Sequence, residues 1–92
     1  MIAERLAAFR TRFLERSRGE GDALLRVVAA ERPDFALIAG IAHRLAGGGG
    51  TVGLPAISAA AAALEDACDL RDADTVRAAA ARLHAVIAEE AG

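Results

Sequence analysis

Two histidines and one cysteine are the side chains of this chain best suited to nucleophilic work near neutral pH. His43 is the more informative, because of what surrounds it. It lies in Ile41-Ala42-His43-Arg44-Leu45-Ala46-Gly47-Gly48-Gly49-Gly50-Thr51-Val52-Gly53. Wound as an α-helix, this segment puts Phe35, Ile38, Ile41, Ala42, Leu45, Gly49 and Val52 on one stripe and turns His43 away from it. One turn back from the histidine stand Ala39 and Gly40, one turn forward Ala46 and Gly47, and two turns off Ala36 and Gly50,. Such a helix buries one face and clears the other around a single imidazole, so that a second protein can reach the ring. A neutral imidazole is nucleophilic at physiological pH, because its ordinary pKa is about 6.5. Covalent transfer through a ring nitrogen splits one displacement into two.

The other candidates lack that setting. His84 follows Leu83 with no small-residue collar and reads as an edge-of-core or surface residue. Cys68 stands four residues after Leu64 on an apolar stripe, as a packed core thiol would,. A metal site built from the two histidines is disfavoured. Helical-bundle metal sites use Glu-x-x-His pairs, and no Glu lies three residues before either histidine,.

The elements that position His43 are helical throughout. With 92 residues the chain is long enough for one small domain and one core, spanning residues 1–92,. Alanine supplies half of the apolar residues, so the core must come from closely approaching helices rather than from large side chains. Ile2, Leu6, Phe9 and Phe13 recur at helical spacing, and the phase carries on to Leu24, Val27 and Val28,. Gly19 and Gly21 interrupt it. Either one long helix has its weak point there, or two helices meet with Asp22 as a new N-cap; the long helix is the preferred reading. Arg32-Pro33-Asp34 punctuates the chain, and Asp34 is suited to cap a second helix beginning at Phe35,. Pro55 opens a third helix with Ile57, Ala61, Leu64 and Cys68 as its buried stripe,. Asp72 or Asp74 can cap a fourth, with Val76, Ala80, Leu83 and Ile87 inward. Nothing reads as a strand. Four amphipathic helices with short links predict an all-α, antiparallel up-and-down four-helix bundle.

The run Gly47–Gly50 admits three readings. It can end the second helix as a loop, since each internal glycine costs about 0.5–1 kcal/mol relative to alanine. A phosphate-cradling loop is a poor match, because no strand precedes it and no Lys follows,. The third reading is preferred: Val52 stays in phase with Leu45 and Ile38, so the helix continues and the glycines let a neighbour come close to its backbone.

Composition narrows the partners. The chain carries a formal charge of −2, and every basic residue is Arg. Arg5, Arg10, Arg12, Arg16 and Arg18 are interleaved with Glu4, Glu15 and Glu20, as on a solvated face rather than a nucleic-acid patch,. Three Phe, without Trp or Tyr, make no stacking platform,. No stretch is apolar enough for a membrane span and none has the form of a signal peptide. The single cysteine fits a reducing compartment, so a cytoplasmic monomer is expected,.

His43-x-Leu45-x-Gly47, with Gly53 ten residues after the histidine and Leu64-Glu65 on the next helix, resembles the histidine-containing phosphotransfer (HPt) domain of two-component phosphorelays. With Thr51 and Val52 before Gly53, the segment is also similar to the phosphotransfer domain of chemotaxis-type histidine kinases. The motif resemblance covers roughly residues 30–70, and the four-helix pattern extends it along the chain. It implies that His43 accepts a phosphoryl group from a receiver-domain aspartyl phosphate, or from a histidine kinase, and passes it to another receiver aspartate. Gly47 would leave room for phosphate and partner, while Leu45 and Gly53 would be structural. The family commonly has Lys three residues after the histidine, where this chain has Ala46. Arg44 is the nearest replacement cation, about 100° round the helix from His43.

Phosphoryl transfer needs positioning and charge neutralisation more than covalent chemistry from the protein. The resemblance therefore implies a carrier with no cofactor of its own and no autokinase activity, with Mg²⁺ held by the partner receiver domain. Ala36, Ala39, Gly40, Gly47 and Gly50 are the expected docking surface, supplied mostly by the first two helices. The alternative is an HPt-like docking module that binds a receiver or kinase without carrying phosphate.

Overall fold

The computed structural model describes all 92 residues. Four helices follow one another: α1 (Ile2–Val28), α2 (Phe35–Thr51), α3 (Pro55–Asp69) and α4 (Ala73–Ala91). Short links at 29–34, 52–54 and 70–72 reverse the chain each time, giving the all-α up-and-down four-helix bundle that the periodicity predicts,. α2 packs chiefly on α3, and α1 and α3 both pack on α4; the α1–α2 seam is the thinnest. At the centre Leu24, Ile38, Leu45, Ile57, Leu64, Val76, Leu83 and Ile87 are buried, with Ala42, Ala61 and Ala80 between them. Those alanines let backbones approach closely, as the composition requires. Phe35 and Ile41, placed on the buried stripe by periodicity, sit at its edges and are half-buried.

The helix ends follow local chemistry. The Asp34 carboxylate accepts from the Leu37 N–H at 3.1 Å, and Pro55 stands in the first turn of α3, where its missing N–H is harmless,. Of the two candidate caps for α4, Asp72 is the one used: it accepts from the Asp74 N–H at 3.2 Å and from the Thr75 hydroxyl at 2.6 Å. α2 closes with Gly53 at φ +76°, in the left-handed region that favours glycine,. There the Leu54 N–H donates to the Gly49 carbonyl at 2.8 Å and the Gly53 N–H to Gly50, the double bond of a Schellman ending,. Two arginines bond carbonyls at and just beyond the ends of α1 and α2 from neighbouring helices. Arg77 donates to the carbonyls of Val28 (2.7 Å) and Ala30 (2.9 Å), and Arg10 donates to that of Val52 (3.1 Å).

α1 is one helix through Gly19 and Gly21, and Asp22 caps nothing. Gly21 is buried against α4: a Cβ there would lie 3.4 Å from Ile87 and 3.5 Å from His84. The stripe at the start of α1 is only partly used. Phe13 is buried, but Ile2, Leu6 and Phe9 are 86 %, 39 % and 53 % exposed. Length explains this. The 27 residues of α1 span about 40 Å, and the 17 of α2 about 25 Å, so the first turns of α1 project past the bundle,.

α2 continues through all four glycines, as Val52's phase implies, and the four meet different surroundings. Above Gly47 a Cβ would meet nothing within 4 Å. At Gly48 the Phe13 ring occupies the space a side chain would need. At Gly49 a Cβ would stand 3.0 Å from the Ser58 nitrogen and 3.3 Å from the Leu54 carbonyl. Backbone cannot swing aside as a side-chain tip can. Gly47→Ala should therefore stabilise the fold by about 0.5–1 kcal/mol through helix propensity. Gly49→Ala should destabilise it by about 1–3 kcal/mol through overpacking. Urea denaturation of the two variants, two positions apart on one helix, should give shifts of opposite sign.

Candidate functional site

α2 presents His43 on its outer side, with the side chain 75 % exposed. The ring leans toward α3, where Glu65 meets it: Nδ1 lies 3.0 Å from Oε2 and 3.3 Å from Oε1. An ionised carboxylate has only acceptors, so Nδ1 carries the proton and donates it to Glu65. That leaves the lone pair of the neutral ring on Nε2, which has no protein partner. The contact orients the ring and selects its tautomer.

The pairing depends on how closely α2 and α3 lie. Gly49 permits the approach at one end, and Ala42 and Ala61 are buried between the helices. One turn beyond His43, the Ser58 hydroxyl of α3 donates to the Ala46 carbonyl of α2 at 2.8 Å. That bond fixes the two helices in register.

The small-residue collar is where the sequence places it. Ala36, Gly47 and Gly50 are exposed on the outer face of α2, while Ala39, Gly40 and Ala46 are half-buried. The wall nearest the ring, however, is α3 rather than α1. Arg44 is exposed and lies back along its own helix, Nη1 3.7 Å from the point a Gly40 Cβ would occupy. It lines a hollow with Phe13, Ser17 and Glu20 on the α1 side, away from His43. No cation of this chain forms an ion pair or hydrogen bond at the imidazole. Glu65 stood in the sequence motif without a role. The sequence carried only half of the signal: a carboxylate one residue after Leu64 lies beside the buried stripe of α3, but its pairing with α2 comes from the packing of the two helices.

His84 offers a comparison. Its Nε2 donates to the Asp22 carboxylate at 2.9 Å, joining α4 to α1. The ring is wedged over Gly21 and its side chain is only 37 % exposed, at the edge of the core as expected. Cys68 is buried. Burial pushes its thiol pKa up, with the charges of Asp69 and Glu65 acting in the same direction, so little reactive thiolate is present,.

The chain is thus a four-helix bundle with an exposed histidine on its second helix, Nδ1 of the ring paired with a carboxylate. The Hpt domain family model matches residues 8–91, nearly the whole chain, and the protein belongs to that family. No curated protein and no solved structure gives a significant match. Hpt domains are the histidine phosphotransfer modules of phosphorelays, where they interact with receiver domains and kinases. No helix of this chain is long and apolar enough to cross a membrane.

Removing the Glu65 carboxylate should release the ring. In Glu65→Ala, ¹⁵N–¹H correlation spectra of the His43 imidazole, taken in alkaline solution, should show the proton moving from mainly Nδ1 to mainly Nε2. The His84 signals should not change. An unchanged His43 tautomer would mean that Glu65 does not set it.

Proposed function

We propose that His43 is the phosphoryl carrier of this domain, accepting from a receiver-domain aspartyl phosphate or a histidine kinase and donating to another receiver aspartate. The observation that carries this reading is the Nδ1–Glu65 hydrogen bond on an otherwise exposed ring. It leaves Nε2 unprotonated and outward, so no general base is needed at the moment of attack. As the Nε2–P bond forms, the bond from phosphorus to the aspartyl oxygen breaks, and the aspartate leaves as a carboxylate. The ring becomes an N-phosphorylated imidazolium. Its Nδ1 proton stays shared with Glu65, whose charge offsets the new positive charge beside it. In the onward step the second receiver's carboxylate attacks phosphorus and the N–P electron pair returns to Nε2.

Gly47 supports the same reading, because the space above it is open one turn from the ring. Ala36, Ala39, Gly40 and Gly50 continue that low surface, on which a receiver can settle with its own aspartate over Nε2. Arg44 is the residue of this chain that can swing toward the phosphoryl oxygens, and Ala46 offers no charge. Neutralisation by Mg²⁺ then falls to the partner's acidic site. The domain acts as a cytoplasmic monomer, a reading to which its single, buried thiol lends support,.

The test is incubation with phosphorylated receiver domains and Mg²⁺. Wild type should acquire an acid-labile, base-stable label and His43→Gln should acquire none. Gly47→Leu should keep the fold, since its side chain points into open space, yet lose transfer by at least about tenfold through a blocked approach. Receiver binding without label on wild type would replace this reading with the docking module. Normal transfer by Gly47→Leu would remove the steric role given to the collar.

A further inference from the structure

The Hpt chemistry uses α2 and α3 and leaves the projecting start of α1 unexplained. Phe9, Leu6 and Phe13 stand on one side of it at alternating steps of three and four residues, the spacing of a helix-pairing seam,. With Gly48 and Val52 at the end of α2 they line an open apolar groove. Phe9 is 53 % exposed there, a costly surface to leave in water,.

The charges beside this seam are mostly positive. Helical geometry places Arg5, Arg12 and Arg16 along one edge and Arg10 along the other,. Arg12 holds its guanidinium 5.0 Å from the centre of the Phe9 ring, and Arg10 is fastened to the Val52 carbonyl. Glu15 is the one carboxylate lining the groove, against Arg12 and Arg16. A second copy of the chain fits poorly. Antiparallel pairing of two seams would set Arg5 against Arg12, and parallel pairing would set Arg5 against Arg10. A bilayer surface fits poorly too, because Gly48, Thr51 and Val52 at the end of α2 form a second wall and make the surface a groove rather than a plane.

We propose that this groove is a docking site, separate from the phosphoryl-accepting face, for an amphipathic helix of a partner protein that carries acidic residues along its apolar seam. Such a helix places its large side chains over Leu6, Phe9 and Phe13 and its carboxylates against the arginine edges. His43 and Gly48 project about 140° apart round α2, so the occupant leaves the imidazole open. The proposal does not rest on the chemistry of His43.

Two synthetic eighteen-residue helical peptides test it, both with Leu at the seam positions, one flanked by Glu and its twin by Lys. Fluorescence anisotropy should show the Glu peptide binding at least about tenfold more tightly than the twin. Its backbone amide shifts should map to residues 6–13 and 48–52. Phe9→Asp should weaken binding at least about tenfold with the helical circular dichroism intact, since Phe9 is exposed. Arg12→Glu/Arg16→Glu should reverse the preference between the peptides. His43→Gln should bind the Glu peptide like wild type, so that failure of phosphotransfer and failure of docking are separately visible. Equal binding of the two peptides, or binding indifferent to Phe9→Asp, would overturn the proposal. A dimer that dissociates in Phe9→Asp, seen by sedimentation, would overturn it in favour of a second copy. Binding to phosphatidylserine vesicles that is lost in the same variant would overturn it in favour of a membrane.

Discussion

The distance between α2 and α3 is the constraint on which the rest of the structure turns. Glu65 can hold Nδ1 of His43 at 3.0 Å because α2 and α3 pack directly on one another. They lie close because Gly49 has no side chain where Ser58 and Leu54 bring their backbones. The Ser58 hydroxyl then fastens the register through the Ala46 carbonyl. A chain of small contacts therefore begins with a missing methyl group and ends with the proton on one ring nitrogen rather than the other. The glycines are tolerated in a helix because tertiary packing outweighs their poor propensity.

The two histidines show how similar contacts give different outcomes. Each donates a ring N–H to a carboxylate on a neighbouring helix, at 3.0 Å for His43 and 2.9 Å for His84. His84 bonds through Nε2, the outer nitrogen, on a ring half-buried at the edge of the core. His43 bonds through Nδ1 and turns Nε2 to solvent. The first arrangement ties α4 to α1; the second leaves an unpartnered ring nitrogen exposed. Which nitrogen is occupied matters more than whether a carboxylate is present.

Most of the fold was legible in the sequence because the helix signals are local. Asp34, Pro55 and Asp72 act within three residues of themselves, and the stripes of α2, α3 and α4 differ from prediction only at edge positions such as Phe35 and Ile41. The collar around His43 was legible for the same reason, since residues one turn apart on a helix are neighbours whatever the tertiary fold. Glu65 was not, because its meeting with His43 depends on the register of two helices, which no spacing within either one reveals. Arg44 is a different case: sequence fixes its reach but not its rotamer, and the guanidinium lies back along its own helix beside Gly40. The stripe at Ile2, Leu6 and Phe9 has the right period for a core, but period alone cannot say that the neighbouring helices end too soon to cover it.

Arg10 marks a change in what holds α1 together. From Arg10 onward the helix is fastened by side chains to the rest of the molecule. Before it, the turns from Ile2 to Phe9 rest on their own backbone bonds. Alone, so short a peptide would be mostly coil, since nucleating a helix is the unfavourable step. Here the nucleus is supplied permanently by the bundled part of α1, and only propagation remains, through good helix formers such as Ala3, Glu4, Arg5, Leu6, Ala7 and Ala8. The projecting turns can thus melt toward Arg10 and re-form outward from it in small steps, at low free energy and without disturbing the core. Their order can be lost and regained locally, while that of the histidine helix, packed on its neighbours, is lost only together with the core,.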